Sequence, residues 1–177
     1  MIDLRRLPSK GPSLIRVDNR LVHGQILEAW VPFVSASRIV LVNEEVAGDL
    51  FRETVIRMAV PQQIEMHIYG IEEFSRGLAY KKYLEERSII LFGSIDDLLS
   101  AYRLGFGFKT LNIGNVHTNN GVYHPTPSIS LSEDNVKGLI SLADSGVKIE
   151  LRCVPRDRPV DFLRAVKGFG NSKRNSQ

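Results

Sequence analysis

Cysteine is almost absent from this sequence, because Cys153 is the only one among 177 residues. A lone cysteine cannot form an intrachain disulfide, so the chain suits a reducing compartment. No apolar run approaches the roughly 20 residues that a membrane-spanning helix needs. No apolar stretch follows the N-terminal arginines to complete a secretory signal. These absences predict a cytoplasmic protein without a membrane span.

An excess of one charge is also missing. The formal net charge is only +3, from 23 Lys and Arg against 20 Asp and Glu, and much of the excess lies near the two ends. A nucleic-acid-binding domain normally carries a denser basic stripe on a folded face. The sequence also lacks the G-x-G-x-x-G and G-K-[ST] patterns of nucleotide sites. We therefore expect neither a nucleic-acid partner nor a nucleotide cofactor.

Short β-rich runs alternate with helical patterns along most of the chain. The runs predict strands over 13–17, 38–42, 63–69, 88–92, 110–113 and 147–153, and helices over 22–34, 47–58, 72–80, 95–102, 133–142 and 160–166. This alternation predicts one α/β domain over 13–167, with a mainly parallel open β-sheet of six or seven strands and helices on both faces. Residues 1–12 and 168–177 are predicted to be a flexible leader and tail, and 115–127 an irregular loop.

Reactive side chains are concentrated after the first predicted strand, in RVDNRLVHGQ (16–25). In an open α/β sheet, ligands bind beyond the carboxyl ends of strands, and a helix start offers N–H groups to an anion. Neutral imidazole makes His23 a good nucleophile near physiological pH. Arg20 could clamp the same anion, Asp18 could orient the ring or hold Arg20, and Gly24 leaves room for a ligand. On these residues alone, a histidine that only caps a helix or contacts solvent is the simpler interpretation.

Other candidate sites have weaker support. His67 lies within a predicted strand, where a structural role is the simpler interpretation. His117 and His124 share a loop but have no cysteine companion and no zinc-like spacing, so we expect no metal site. The polar run at 43–45 follows the second predicted strand. It would either border the His23 site or only cap a helix.

The segment RVDNRLVHGQILEAWV (16–31) resembles the active-site segment of IIB proteins of the mannose/fructose/sorbose family of the sugar phosphotransferase system (PTS). RIVLVNEEVAGDLFRETVIRMAVP (38–61) resembles the second strand, acidic loop and helix of that family. RSIILFGSIDDLLSAYRLGFGFKTLNIGNVH (87–117) and SISLSEDNVKGLISLADSGVKIELRCVP (128–155) resemble its later segments. The resemblance runs in order over about residues 13 to 155.

The resemblance implies a phosphocarrier. His23 would accept phosphate, with Nδ1 suggested as the attacking nitrogen, from a phosphohistidine of the IIA protein and pass it to a sugar bound by the membrane components IIC and IID. Arg20 and Asp18 would be the other catalytic residues, and Arg16, Gly24 and Gln25 would contact the phosphate. No metal or cofactor is implied, because the donor is already activated. The protein would sit at the inner face of the membrane through IIC and IID, and a homo-oligomer is compatible with this role.

Two alternatives remain open at this point. In one, the chain is a regulatory phosphocarrier of an incomplete PTS without sugar transport. In the other, it is a non-catalytic anion-binding interaction module in which His23 is never modified. The chain also departs from the family pattern: Asn19 stands where a second aspartate is frequent, and the loop 115–127 lacks the Lys/Arg cluster that we would expect there.

Overall fold

A computed structural model describes residues 14–76, 83 and 87–172, the side chains of 168–172 excepted. The predicted leader and the last five residues of the predicted tail lie outside this range. The described part forms an α/β domain with a mainly parallel sheet, which confirms the predicted fold class. It contains nine strands rather than the predicted six or seven. The three additional strands are too short to show a strand pattern in the sequence.

The strands are β1 Leu14–Asp18, β2 Arg38–Val42, β3 Glu65–Tyr69, β4 Ser88–Phe92, β5 Thr110–His117, β6 Tyr123–Thr126, β7 Ile129–Leu131, β8 Lys148–Leu151 and β9 Val160–Asp161. The helices are a π-helix Gln25–Trp30 continued by α1 Val31–Val34, then α2 Glu44–Ala47, α3 Leu50–Ala59, α4 Ile71–Arg76, α5 Ile95–Arg103, α6 Glu133–Asp144 and α7 Phe162–Ser172.

The sheet has the order β3-β2-β4-β1-β5. Beyond β5, β8 pairs in parallel with its first half and β7 with its end. The short strands β6 and β9 add antiparallel pairs at this side. After β1 the chain leaves toward β2, whereas after β5 it leaves in the opposite direction. Adjacent strands with diverging connections form the crevice where open α/β sheets bind ligands, so the ends of β1 and β5 mark the expected site.

Two hydrophobic clusters cover the two faces of the sheet. One contains Ile26 and Trp30 of the π-helix with the β1 residue Leu14 and alternate residues of β2 and β4. The other packs α4 to α7 against the opposite side chains of the same strands. Because side chains alternate along a strand, Arg16 lies on the Trp30 side, with its guanidinium carbon 4.9 Å from the centre of the indole ring.

Local capping explains several boundaries. Ser132 accepts a hydrogen bond from the N–H of Asn135 at the start of α6, and Gly146 adopts φ +95° just past its end. The helix predicted over 47–58 is observed as α3 from Leu50 to Ala59, and a separate short helix, α2, precedes it. Asn43 caps α2 and Asp49 caps α3, so each short helix has its own start.

The segment 115–127 was wrongly predicted to be wholly irregular. Strand β5 continues to His117, and β6 pairs with β7. Strand propensity does not predict β6 because it contains Pro125, and proline is tolerated only at the edges and bulges of sheets. The last predicted helix begins at Phe162 and follows the two-residue strand β9.

Candidate active site

A tight turn links β1 to the π-helix. The N–H of Leu21 donates to the carbonyl of Asp18 over 3.0 Å, and Leu21 adopts φ +57°, an uncommon conformation for a branched side chain. The carbonyl of His23 then accepts from the N–H groups of Ile26 and Leu27. This loop therefore places residues 18–25 at the carboxyl end of β1, beside the crevice with β5.

The Asp18 carboxylate is the centre of the site and its side chain is fully buried. Oδ1 accepts from the backbone N–H and Nε of Arg20, both at 3.1 Å. Oδ2 accepts from Nη2 of Arg16 at 2.9 Å and Nη2 of Arg20 at 3.1 Å, and lies 3.2 Å from Nε2 of His23. Burial alone would raise the pKa of Asp18. The hydrogen bonds from Arg20, His23 and Arg16, with the charge of Arg16, outweigh it and hold the pKa below its usual range. Asp18 is an ionised anchor for three side chains.

His23 meets Asp18 through Nε2, and among the described residues none is hydrogen-bonded to its Nδ1. Its side chain retains 19% of its exposure, so the ring is held but still reachable. Burial lowers the pKa of His23 below 6.5, aided by the charges of Arg20 and Arg16, and the contact with Asp18 offsets this only in part. The ring is therefore neutral near physiological pH, with a nitrogen lone pair available for attack.

Arg20 forms the exposed rim of the site. Its side chain is 38% exposed, although Nε and Nη2 both donate to Asp18, as does the backbone N–H. Nη2 also donates to Oε1 of Gln25 over 2.9 Å. The guanidinium is thus fixed beside the His23 ring through a shared carboxylate, as a clamp for an anion requires.

Arg16 does not reach the surface, so the structure does not support the predicted phosphate contact. Its side chain is fully buried. Nη1 donates to Oδ1 of Asn112 and, over 3.0 Å, to the carbonyl of Arg152, while Nη2 donates to Asp18 and to the carbonyl of Cys153. A guanidinium with these acceptors acts as a buried counter-charge for Asp18 rather than as a ligand for an anion.

The helix predicted from residue 22 begins at Gln25 as a π-helix with Gly24 as its N-cap, so Gly24 and Gln25 stand at its start. No described residue accepts a hydrogen bond from either backbone N–H, so both donors are available to an anion. A Cβ on Gly24 would have no atom within 4 Å, which shows open space beside the helix start. Both residues line a cavity of 420 Å³ together with Val154, Pro155 and Arg156.

Sequence reasoning missed the buried polar chain behind Arg16. Asn112 on β5 links Arg16 to Glu150 on β8, since its Nδ2 donates to the Glu150 carboxylate over 3.1 Å. Burial raises the pKa of Glu150. The sequence signal for these residues was a polar side chain within an apolar strand, Asn112 in TLNIG and Glu150 in KIEL. Such a buried polar group needs a hydrogen-bond partner.

Asn19 ties the loop to its neighbours. Its Nδ2 donates to the carbonyl of Gly93 over 2.7 Å, and its Oδ1 accepts from the N–H of His117. An ionised aspartate could not make the first of these bonds, because it has no hydrogen to donate. The departure from the usual aspartate therefore has a structural consequence at this position.

The acidic run at 43–45 borders the loop but not His23. Asn43, Glu44 and Glu45 line a separate cavity of 330 Å³ together with Asn19 and Leu21. Asn43 also caps α2, so the capping role considered for this run is realised.

No hydrogen bond joins the side chains of the other described histidines to Asp18 or His23. The ring of His67 stacks on Tyr69 at 6.3 Å between centroids and lies beside Glu65, which fits a structural role. His117 ends β5 and His124 lies on β6. Within the described ranges, no three His, Cys, Asp or Glu side chains are grouped as a metal site would need.

Comparison with known proteins gives the family. Residues 12–177 match the family model for the PTS system sorbose subfamily IIB component. The chain belongs to this family of PTS IIB components. It is 31% identical over 154 residues to the fructose-specific EIIB component of Bacillus subtilis, covering 87% of this chain and 94% of that one. It is 32% identical, with the same coverage, to the sorbose-specific EIIB component of Klebsiella pneumoniae.

Solved structures of IIB components share the fold. The IIBSor domain of the sorbose permease from Klebsiella pneumoniae superposes with a TM-score of 0.79 at 30% identity, over 89% of this chain and 97% of that one. The match to the mannose-specific EIIAB component of Escherichia coli, at 28% identity, covers 86% of this chain but 47% of that protein. The general role of PTS IIB components is phosphoryl relay from IIA toward sugar. None of the helices in the described ranges could cross a membrane.

We expect the folded protein to hold the pKa of His23 below 6.5. An unfolded chain would bind a proton there, so acid favours unfolding, and this loss of stability appears as the pH falls below 6.5. Nuclear magnetic resonance titration of the His23 ring should give a pKa below 6.5. A His23 pKa above 6.5 would contradict the burial argument.

Replacement of Gly114 should disrupt the buried arginine. A Cβ at Gly114 would lie 1.7 Å from Nη2 of Arg16, and Arg16 cannot retreat without losing its acceptors. Gly114→Ala should lower the free energy of unfolding by about 3 kcal/mol or more in urea titrations. Gly107→Ala is the matched control, with no atom within 4 Å of its Cβ, and should change stability by less than about 1 kcal/mol. Equal stabilities of the two variants would refute the close approach.

Proposed function

We propose that this chain carries a phosphoryl group on Nδ1 of His23. It receives the group from a phosphohistidine of a IIA protein and passes it to a sugar bound by the membrane components IIC and IID. The observation that supports this most is the contact of His23 Nε2 with the buried Asp18 carboxylate. That contact holds the ring by one nitrogen and leaves the other with its lone pair.

The two transfers balance without a cofactor. The Nδ1 lone pair of His23 attacks the phosphorus, a new N–P bond forms, and the donor N–P bond breaks, returning an electron pair to the donor imidazole. In the second step a sugar hydroxyl oxygen attacks the same phosphorus. The N–P bond to His23 breaks, and the hydroxyl proton passes to a base. Positioning and charge stabilisation provide most of the catalysis in such transfers.

Arg20 and the start of the π-helix would stabilise the transferring group. The rim guanidinium already has a fixed place through Asp18 and Gln25. The free N–H groups of Gly24 and Gln25 add donors aimed from the helix start. Asp18 positions both His23 and Arg20, and Arg16 holds Asp18 ionised from behind. In this proposal the protein works in the cytoplasm and meets the membrane through IIC and IID.

Phosphorylation of His23 tests the proposal directly. The protein would be incubated with phosphoenolpyruvate, the general PTS proteins and a cognate IIA, and its intact mass measured before and after acid treatment. We expect one acid-labile phosphate. Phosphorus–nitrogen coupling, measured by nuclear magnetic resonance, should place it on Nδ1. His23→Gln should abolish the label and His117→Gln should keep it. Label retained by His23→Gln would move the site elsewhere, and unlabelled parent protein would favour a non-catalytic module.

Arg20 variants separate its role from folding. Arg20→Lys keeps one charge but loses the fork that bonds Asp18 and Gln25 together, so we expect transfer to His23 to slow by about 10²-fold. Arg164→Ala, which removes an exposed arginine on α7, should transfer at the parental rate. Single-turnover rates of phosphate arrival measure both. Parental rates for Arg20→Lys, with unchanged melting temperature, would remove the assigned role.

A further inference from the structure

Helix α3 shows an apolar face that nothing in the described structure covers. Leu50, Phe51, Val55 and Met58 are 79%, 76%, 50% and 81% exposed. The last three follow the i, i+4, i+7 spacing that places side chains on one helix face. Only Ile56, on the opposite side of α3, packs against the nearby hydrophobic cluster. Such grouped exposure is typical of interaction sites and differs from isolated surface apolar residues.

This face adjoins the His23 loop. The 330 Å³ cavity has Asn19 and Leu21 of that loop on one wall and Arg52 of α3 on another. Leu21 lies two residues before His23. The cavity therefore lies between the His23 loop and the first turns of α3, and a partner seated on α3 lies next to His23.

The edge of the domain around α3 is acidic. Residues 43–59, which form α2 and α3, carry four Asp and Glu against two Arg, although the whole chain has a net charge of +3. Both arginines are already paired within this segment, Arg52 with Glu45 and Arg57 with Glu53. Carboxylates thus remain in excess around the apolar face, and the partner that fits them is cationic.

The negative charge around α3 distinguishes between the possible binding partners of its apolar face. A second copy would bring the same acidic edge against itself, and an anionic lipid surface would repel it. The cytoplasmic loops of membrane proteins, in contrast, are enriched in Lys and Arg. They combine the positive charge and the location that the acceptor in the proposed function requires.

We propose that the apolar face of α3, with its acidic surround, docks the Lys/Arg-rich cytoplasmic loops of the membrane-embedded sugar acceptor. The inference rests on the proposed function and assigns one of its two partners to a surface. Apolar side chains supply the contact, and the carboxylates supply orientation and a salt-dependent encounter. The donor protein would approach His23 without needing α3.

The test uses membrane vesicles with and without cognate IIC and IID, and the full-length protein. The variant Phe51→Ser/Met58→Ser removes two side chains that are more than 75% exposed, so the fold should tolerate it. Leu163→Ser, at an exposed leucine of α7, is the matched control. Three quantities are measured for each: co-sedimentation with vesicles at low and high salt, transfer of phosphate to sugar, and phosphorylation of His23 by IIA without membranes.

We expect the double variant to bind IIC/IID vesicles at least about tenfold more weakly and to lose sugar phosphorylation in proportion. Its phosphorylation by IIA should equal that of the parent and of Leu163→Ser. Parental binding should also weaken with salt.

Four results would overturn the inference. The double variant could bind IIC/IID vesicles as tightly as the parent, or the parent could bind vesicles without IIC and IID equally well. The parent could also be a dimer that the double variant no longer forms, or the double variant could be phosphorylated more slowly by IIA while still binding the vesicles. A parent that takes no phosphate on His23 would instead refute the proposed function, so the two failures are distinguishable.

Discussion

The buried carboxylate of Asp18 is the interaction on which the site depends. It lies at the end of β1, has no exposed side-chain surface, and accepts hydrogen bonds from Arg16 and Arg20 while contacting His23. An isolated buried carboxylate would be costly, so the two guanidinium groups are needed to keep it ionised. Once ionised, it fixes one ring nitrogen of His23 and the direction of Arg20 together. The nucleophile His23 and the anion clamp Arg20 are therefore both positioned by one carboxylate at the end of β1.

The rest of the architecture supports that group from behind. Arg16 is held by carbonyls after β8, by Asn112 on β5 and by the Trp30 ring, so three separate elements converge on it. Gly114 leaves the space that its guanidinium occupies. The front of the site stays open: the ring of His23 and the side chain of Arg20 keep part of their exposure, and two cavities flank the loop. A rigid rear and an open front suit a group that must meet two partners in turn.

Much of the site was predictable, because one continuous segment, 16–25, carries most of it and a βα loop in an α/β sheet has a known position. His23, Asp18 and Arg20 come together as expected. The role of Arg16 was not predictable, since it depends on Asn112 and the carbonyls of Arg152 and Cys153, about 100 to 140 residues away in the chain. The same reason hid Glu150. In the fold, the long apolar strands were predictable from the local sequence. The strands β6, β7 and β9 have only two to four residues each and form through pairing with neighbouring strands. The break between α2 and α3 depends on two side-chain caps.

The tautomer of the unphosphorylated His23 ring tests the central claim most directly. Nitrogen-15 chemical shifts of the ring near neutral pH distinguish a protonated from an unprotonated nitrogen. If Asp18 organises the site, the hydrogen must reside on Nε2, shared with the carboxylate, and Nδ1 must be bare. A ring with its hydrogen on Nδ1, or one that exchanges freely between both forms, would show that Asp18 does not hold it.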